Sequence, residues 1–85
     1  MHFVYIIYST SFKKYYKGYS KDPHKRLTEH NQGKSRYTKS FVPWELIFIE
    51  QFENKSVALK REKVIKKYSK AQIQYLISSA RNQLK

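Results

Sequence analysis

Trp44-Glu45-Leu46-Ile47-Phe48-Ile49-Glu50-Gln51-Phe52 reads as a β-strand whose middle, Leu46 to Ile49, carries no polar residue. An apolar run without alternation suggests a strand covered on both faces. The flanking sequence supplies the covers. Upstream, Phe3 to Ser9 is β-rich and apolar, and Tyr15 to Tyr19 is a second aromatic run. The segment Thr10 to Lys14 between them fits a hairpin connection. Asp22-Pro23 marks a helix start, with Asp22 accepting bonds from free amides and Pro23 fitting the first turn. That helix is expected to run to about Asn31 and to stop at Gly33. Leu27 is its only large aliphatic residue, so it is expected to be mostly exposed. Lys34 to Pro43 reads as a basic loop.

Downstream, Asn54 or Ser56 caps a second helix, Val57 to about Lys67. Ser69 followed by Gln72 forms a capping box for a third. Ile73, Leu76, Ile77, Ala80 and Leu84 recur there at helical spacing and are expected to be core. The order is β-β-α-β-α-α, with strands grouped and helices packed on them, an α+β layer domain. A chain of 85 residues holds one such core, so residues 1–85 read as a single domain.

The chain carries 18 basic and 6 acidic residues, a net charge of +12 with histidines neutral. Lys13 to Lys39 and Lys55 to Lys70 concentrate it, at +7 and +6, and the remainder sums to −1. Two concentrated basic blocks point to a polyanion, because cations clustered on a surface release counterions from a phosphate backbone. Lys17, Lys21, Lys25, Lys34, Arg36, Lys39, Lys60 and Lys63 are the candidate nucleic-acid contacts. Tyr15, Tyr16, Tyr19 and Tyr37 are interleaved with them, suited to stacking on exposed bases and equally to ordinary half-buried strand positions. Cysteine is absent, which excludes a disulfide framework and a thiol nucleophile. No apolar run approaches the ~20 residues of a membrane span. The N-terminus lacks the basic leader and small-residue cleavage site of a signal peptide. A cytoplasmic domain with no membrane partner is expected.

Phosphate chemistry commonly uses a metal held by oxygen ligands. Asp22 is spent as a cap; Glu45, Glu50 and Glu53 flank or punctuate a strand and read as solvated; Glu29 sits among basic residues. Glu62 differs, because Ala58, Glu62 and Ile65 share one helix face. A carboxylate there is either half of an ion pair or a metal ligand. Arg26 and His30 lie four apart and point the same way: two exposed residues of a polar helix, or a guanidinium gripping phosphate beside an imidazole that moves a proton. HExxH, P-loop and glycine-rich fingerprints are all missing.

Tyr5 in Val4-Tyr5-Ile6-Ile7, then Tyr16-Lys17-Gly18, then Lys25-Arg26-Leu27-Thr28-Glu29-His30, then Ala58-Leu59-Lys60-Arg61-Glu62, taken in order and spacing, resemble the GIY-YIG nuclease superfamily. The small stand-alone bacterial members are the nearest in pattern, with Tyr37 to Leu46 and Arg61 to Lys67 also similar. The motifs read VYI and YKG here, and both tyrosines are kept. The resemblance implies a three-stranded antiparallel sheet flanked by helices, and hydrolysis of DNA phosphodiesters with one Mg²⁺ or Mn²⁺ ion and no small-molecule cofactor. By position it implies Tyr5, Tyr16, Arg26, His30 and Glu62 as catalytic, with Glu62 on the metal. Tyr5 is the favoured base and Tyr16 its hydrogen-bonding partner, with the two roles exchangeable, and the surrounding cations would have to lower the phenol's pKa. Larger members carry a further asparagine late in the chain, for which Asn82 is the candidate. Single strands and branched DNA are among the substrates left open. A basic DNA- or RNA-binding module without catalysis is the rival class, and an interaction module working through an exposed third helix is another.

Overall fold

The computed structural model describes residues 1–84. Three strands, β1 (His2–Ser9), β2 (Lys14–Ser20) and β3 (Glu45–Phe52), and three helices, α1 (Pro23–Asn31), α2 (Lys55–Lys66) and α3 (Lys70–Ser78), follow one another in the expected β-β-α-β-α-α order. A short 3₁₀ turn, Thr38–Phe41, interrupts the basic loop. The sheet is antiparallel with β1 in the centre, in the order β2-β1-β3.

Alternation along β1 divides the molecule. Val4 and Ile6 join Phe48, Ala58, Ile65, Ile73 and Leu76 in a core under α2 and α3. Tyr5 and Ile7 join Trp44 on the other face, with Tyr16, Leu27, Phe41, Leu46 and Ile49 packed around them. The unalternating stretch of β3 now has its reason. Ile6 pairs with Phe48 and Ile7 with Leu46, so the register slips between them and Ile47 is the extra residue of a bulge. Both faces of β3 are covered.

Local capping chemistry sets the helix starts. Asp22 accepts from the Lys25 amide at 3.1 Å, and Gly33 sits at φ +79° after α1, a conformation glycine adopts without strain. Asn54 is the cap of α2 and accepts from the Ser56 and Val57 amides at 2.7 and 3.3 Å, so the helix begins at Lys55, earlier than Val57. Ser69 and Gln72 exchange bonds of 3.2 and 2.7 Å as a capping box.

Three expectations need correction. The first concerns α1, whose inward anchors are Pro23 and a fully buried His30, not Leu27 alone. A second lies at Glu50, which is only 6 % exposed and paired with Arg61 at 2.9 Å and Arg81 at 3.4 Å. Pairing with Val4 and alternation with Phe48 put this carboxylate on the face under α2, where removing a partner would leave a buried charge unpaired. Third, α3 ends at Ser78, and its apolar stripe stops at Ile77, with Ala80 and Leu84 exposed. The chain turns away so that Asn82, 5 % exposed, reaches the outer edge of β3. Asn82 Nδ2 donates to the carbonyls of Ile47 and Ile77, both at 2.9 Å, and Gln83 donates its amide to Ile49 O at 3.0 Å. These bonds cover an otherwise open strand edge. The inner face of α3 is packed, with Ile73 and Leu76 at 1 % and 4 % exposure, which removes the support for a docking role of that face.

Candidate active site

Tyr5 stands opposite Gly18 in the β1–β2 ladder, and Ile7 stands opposite Tyr16. Cross-strand partners share a face, so both tyrosines project to the α1 side of the sheet. The Tyr5 ring lies directly over Gly18. A Cβ on that glycine would stand 2.5 Å from the Tyr5 hydroxyl oxygen and 2.6 Å from Cζ. The glycine of the Tyr16-Lys17-Gly18 motif is therefore the floor on which the Tyr5 ring rests.

From α1, His30 meets this ring. Its Nε2 is hydrogen-bonded to the Tyr5 hydroxyl at 2.9 Å, and its Nδ1 to Thr38 Oγ1 at 2.7 Å. The Trp44 indole donates to the Thr38 carbonyl at 2.9 Å. Asn31 clasps the backbone of Trp44, accepting from its N–H at 2.6 Å and donating to its carbonyl at 3.0 Å. One turn before His30, Arg26 pairs with Glu29 at 3.0 Å, near enough for its positive charge to act on the Tyr5 hydroxyl. Tyr16 lies edge-on to His30 at 5.2 Å and stacks with Tyr37 at 6.1 Å. The hydrogen-bond partner of Tyr5 is thus His30, where Tyr16 was expected.

Glu62 stands on α2 between the fully buried Ala58 and Ile65, its side chain 15 % exposed. Among the described residues its ion pair is to Lys66 at 3.3 Å, and that lysine is 53 % exposed. Such a pair contributes little. The Glu62 charge also acts on Tyr5, opposing ionisation of the phenol. No cluster of three or more His, Cys, Asp or Glu occurs among the described residues. One carboxylate suits a hard cation that keeps most of its waters and shares phosphate oxygens, and Glu62 is the residue here that would hold such an ion.

Burial, then the neighbouring Tyr16, push the Tyr5 phenol up to about 12, and Arg26 opposes them without prevailing. The expected lowering by cations is therefore reversed in the free protein. Burial and then Arg26 lower His30 to about 4, with Glu29 opposing. A histidine depressed below its ordinary value leaves stability intact above about pH 6.5 and removes it as pH falls toward the folded value. Between pH 6.5 and 5 the loss should reach about 2 kcal/mol, a drop of roughly 10 °C in Tm for a domain of this size. Thermal melts of wild type and His30→Gln at both pH values test this: the variant should show the smaller drop, and equal drops would assign the acid sensitivity elsewhere.

The candidate nucleic-acid contacts spread over two regions. Lys21, Lys25, Lys34, Arg36 and Lys39 are exposed along α1 and its following loop. Lys60 and Lys63 are exposed on α2 and line a shallow groove with Lys55 and Leu59. Lys17 is half-buried, and its partner Ile6 places it on the α2 face, away from the two tyrosines. Asn82 is occupied by the β3 edge and takes no part in the cluster. A groove of about 630 Å³, bordered by Arg61, Tyr68, Tyr75, Leu76 and Arg81, contains none of the clustered residues. Gly18, Thr38 and Trp44 were not singled out from sequence as site residues. All three lay inside stretches that resemble the family, Tyr16-Lys17-Gly18 and Tyr37 to Leu46, but no role was read for them.

Residues 1–76 match the GIY-YIG catalytic domain family. A UPF0213 protein of Staphylococcus epidermidis is 46 % identical over 72 residues, covering 84 % of this chain and 87 % of that protein. A UPF0213 protein of Staphylococcus aureus is 46 % identical over 70 residues, covering 81 % and 84 %. The solution NMR structure of a Bacillus halodurans UPF0213 protein superposes with a TM-score of 0.60 at 28 % identity, over 98 % of this chain and 88 % of that one. The chain therefore belongs to the GIY-YIG family, a family of nucleases, and stands beside its small bacterial UPF0213 members.

Proposed function

We propose that the chain is a divalent-metal-dependent endonuclease that hydrolyses DNA phosphodiester bonds with low sequence specificity, acting on single-stranded or branched stretches of the kind met in repair and recombination. The observation that carries this reading is the meeting of a guanidinium, an imidazole, a second phenol and a lone carboxylate's field at the Tyr5 hydroxyl. A simple basic binder needs no such convergence.

Glu62 would hold the ion, which when bound supplies Lewis-acid polarisation of a phosphoryl oxygen and charge stabilisation at the leaving 3′-oxygen. Arg26 neutralises charge building on the phosphoryl group. Tyr5, as phenolate, takes the proton of the attacking water. With the phenol near 12, only about one molecule in ten thousand is ionised at pH 8. Cleavage should accordingly rise about tenfold per pH unit between pH 6 and 9.

A strip of aromatic rings supports the preference for unpaired strands. Tyr37 stacks on Tyr16, Phe41 lies 5.3 Å from both Tyr37 and Phe12, and the Lys14 ammonium sits 5.1 Å over Phe41. Tyr37 and Phe12 are about half exposed, at 53 % and 50 %. Exposed bases stack on such rings at about 1–3 kcal/mol each, whereas paired bases keep their faces inside the duplex. Nicking of plasmid, single-stranded and branched DNA with Mg²⁺ or Mn²⁺, against EDTA, is the test. Metal-dependent cutting is expected, strongest on unpaired DNA. A metal-independent gel shift without nicking would establish the binding-module reading instead.

A further inference from the structure

The imidazole of His30 is held at both nitrogens and has no exposed surface. Its direction of hydrogen bonding follows from counting donors. Tyr5 is 1 % exposed, and its own proton needs an acceptor. Among the described residues His30 Nε2, at 2.9 Å, is the acceptor within reach. Nε2 is then bare, and the ring proton sits on Nδ1, facing Thr38 Oγ1 at 2.7 Å. Which nitrogen carries the proton is set by the bond the other nitrogen makes, so the identity of residue 38 decides what Tyr5 meets.

We propose that Thr38 is a positioning residue: its hydroxyl oxygen accepts the Nδ1 proton of His30 and so holds the ring in the tautomer whose bare Nε2 takes the Tyr5 proton. Thr38 is itself immobilised. It is fully buried, and its carbonyl is held by the Trp44 indole. Trp44 is in turn clasped by Asn31, the residue next to His30. The loop from helix to 3₁₀ turn to strand thereby closes on itself around the imidazole. Arg26 and Glu29 from α1, with Tyr5 and Tyr16 from the sheet, are the other polar or charged groups facing the ring. None of them is bonded to Nδ1. The consequence for catalysis rests on the nuclease reading; the tautomer does not.

The test uses ¹⁵N-labelled wild type, Thr38→Val and Thr38→Ser, reading the His30 ring nitrogens by NMR at neutral pH beside cleavage kinetics. Valine keeps the shape and loses the acceptor, while serine keeps the acceptor. Wild type and the serine variant should show a protonated Nδ1 and a bare Nε2. The valine variant should lose that pattern, with kcat down at least about tenfold at little change in KM, as expected for a histidine freed to adopt the wrong tautomer. A wild-type ring protonated at Nε2 overturns the proposal, even if the valine variant does not fold. Unchanged ring shifts in a folded valine variant overturn it too. A wild type with the expected ring signature that cuts no DNA supports the positioning role and overturns the nuclease reading.

Discussion

Glu62→Gln should bind DNA at least as tightly as wild type and cut it at least about a thousandfold more slowly. The two halves of this result separate electrostatics of binding from chemistry. Affinity for a polyanion follows the number of phosphates neutralised, and the substitution removes a negative charge from a protein already at +12. Binding therefore holds or strengthens, and the salt dependence steepens slightly. Glutamine is close in shape, so the packing between Ala58 and Ile65 survives. The half-exposed Lys66 loses a pair that contributes well under about 1 kcal/mol. What disappears is a carboxylate whose field reaches Tyr5, and with it the anionic oxygen that would hold a divalent ion. Arg26→Ala gives the complementary result. It removes a cation, so affinity drops by about one phosphate contact, and it removes charge stabilisation worth about 10²–10³ in rate. Nicking assays paired with titrations at two salt concentrations read both quantities. Native cleavage rates in both variants would leave the cluster without a catalytic role.

The legible parts of the fold are those whose causes are local. Asp22-Pro23, Asn54 and the Ser69–Gln72 box each satisfy helix amides within a few residues of themselves, so neighbours in sequence suffice to find them. The run Leu46 to Ile49 announced two covered faces, although the bulge that lets Ile47 and Phe48 share one face is set by pairing with β1. Helical spacing also brought Arg26 and His30 together correctly, and put Glu62 inward. Tertiary placement was the hidden part. Glu50 looked solvated because its two arginine partners lie 11 and 31 residues away. The stripe Ala80–Leu84 looked helical because nothing nearby discloses that Asn82 is needed at the β3 edge. Thr38 was visible only as part of a family-like stretch, since its role is conferred by a histidine on another element. The Tyr5 phenol was misjudged by counting cations: on a chain this basic the charges suggest a lowered pKa, but a ring with 1 % exposure is governed first by lost solvation.

Gly18→Ala should cost the protein its Tyr5 geometry, and the size of the effect follows from how little room the ring has. The new methyl carbon would lie 2.5, 2.6 and 2.9 Å from the Oη, Cζ and Cε1 atoms of Tyr5, well inside contact distance. Tyr5 cannot swing aside cheaply, because it is packed with Ile7 and Trp44 and its hydroxyl is bonded to His30. Relief must come from the strand pair itself or from breaking the Tyr5–His30 bond. Overpacking of this kind costs about 1–3 kcal/mol, which lowers Tm by roughly 5–20 °C, and the displaced hydroxyl removes cleavage at any temperature. The diagnostic is the double variant. With Tyr5→Ala the ring is gone, and alanine in place of glycine within a strand then becomes neutral or slightly stabilising, by up to about 1 kcal/mol. The two substitutions should therefore be strongly non-additive, with a coupling of about 1–3 kcal/mol measured by denaturant titration of the four proteins. Additive losses would mean that Gly18 serves the strand backbone alone. Coupled losses would give the motif glycine a physical purpose: it is the missing side chain that lets a buried phenol lie across one strand and meet a guanidinium, an imidazole and a distant carboxylate's field at a single oxygen.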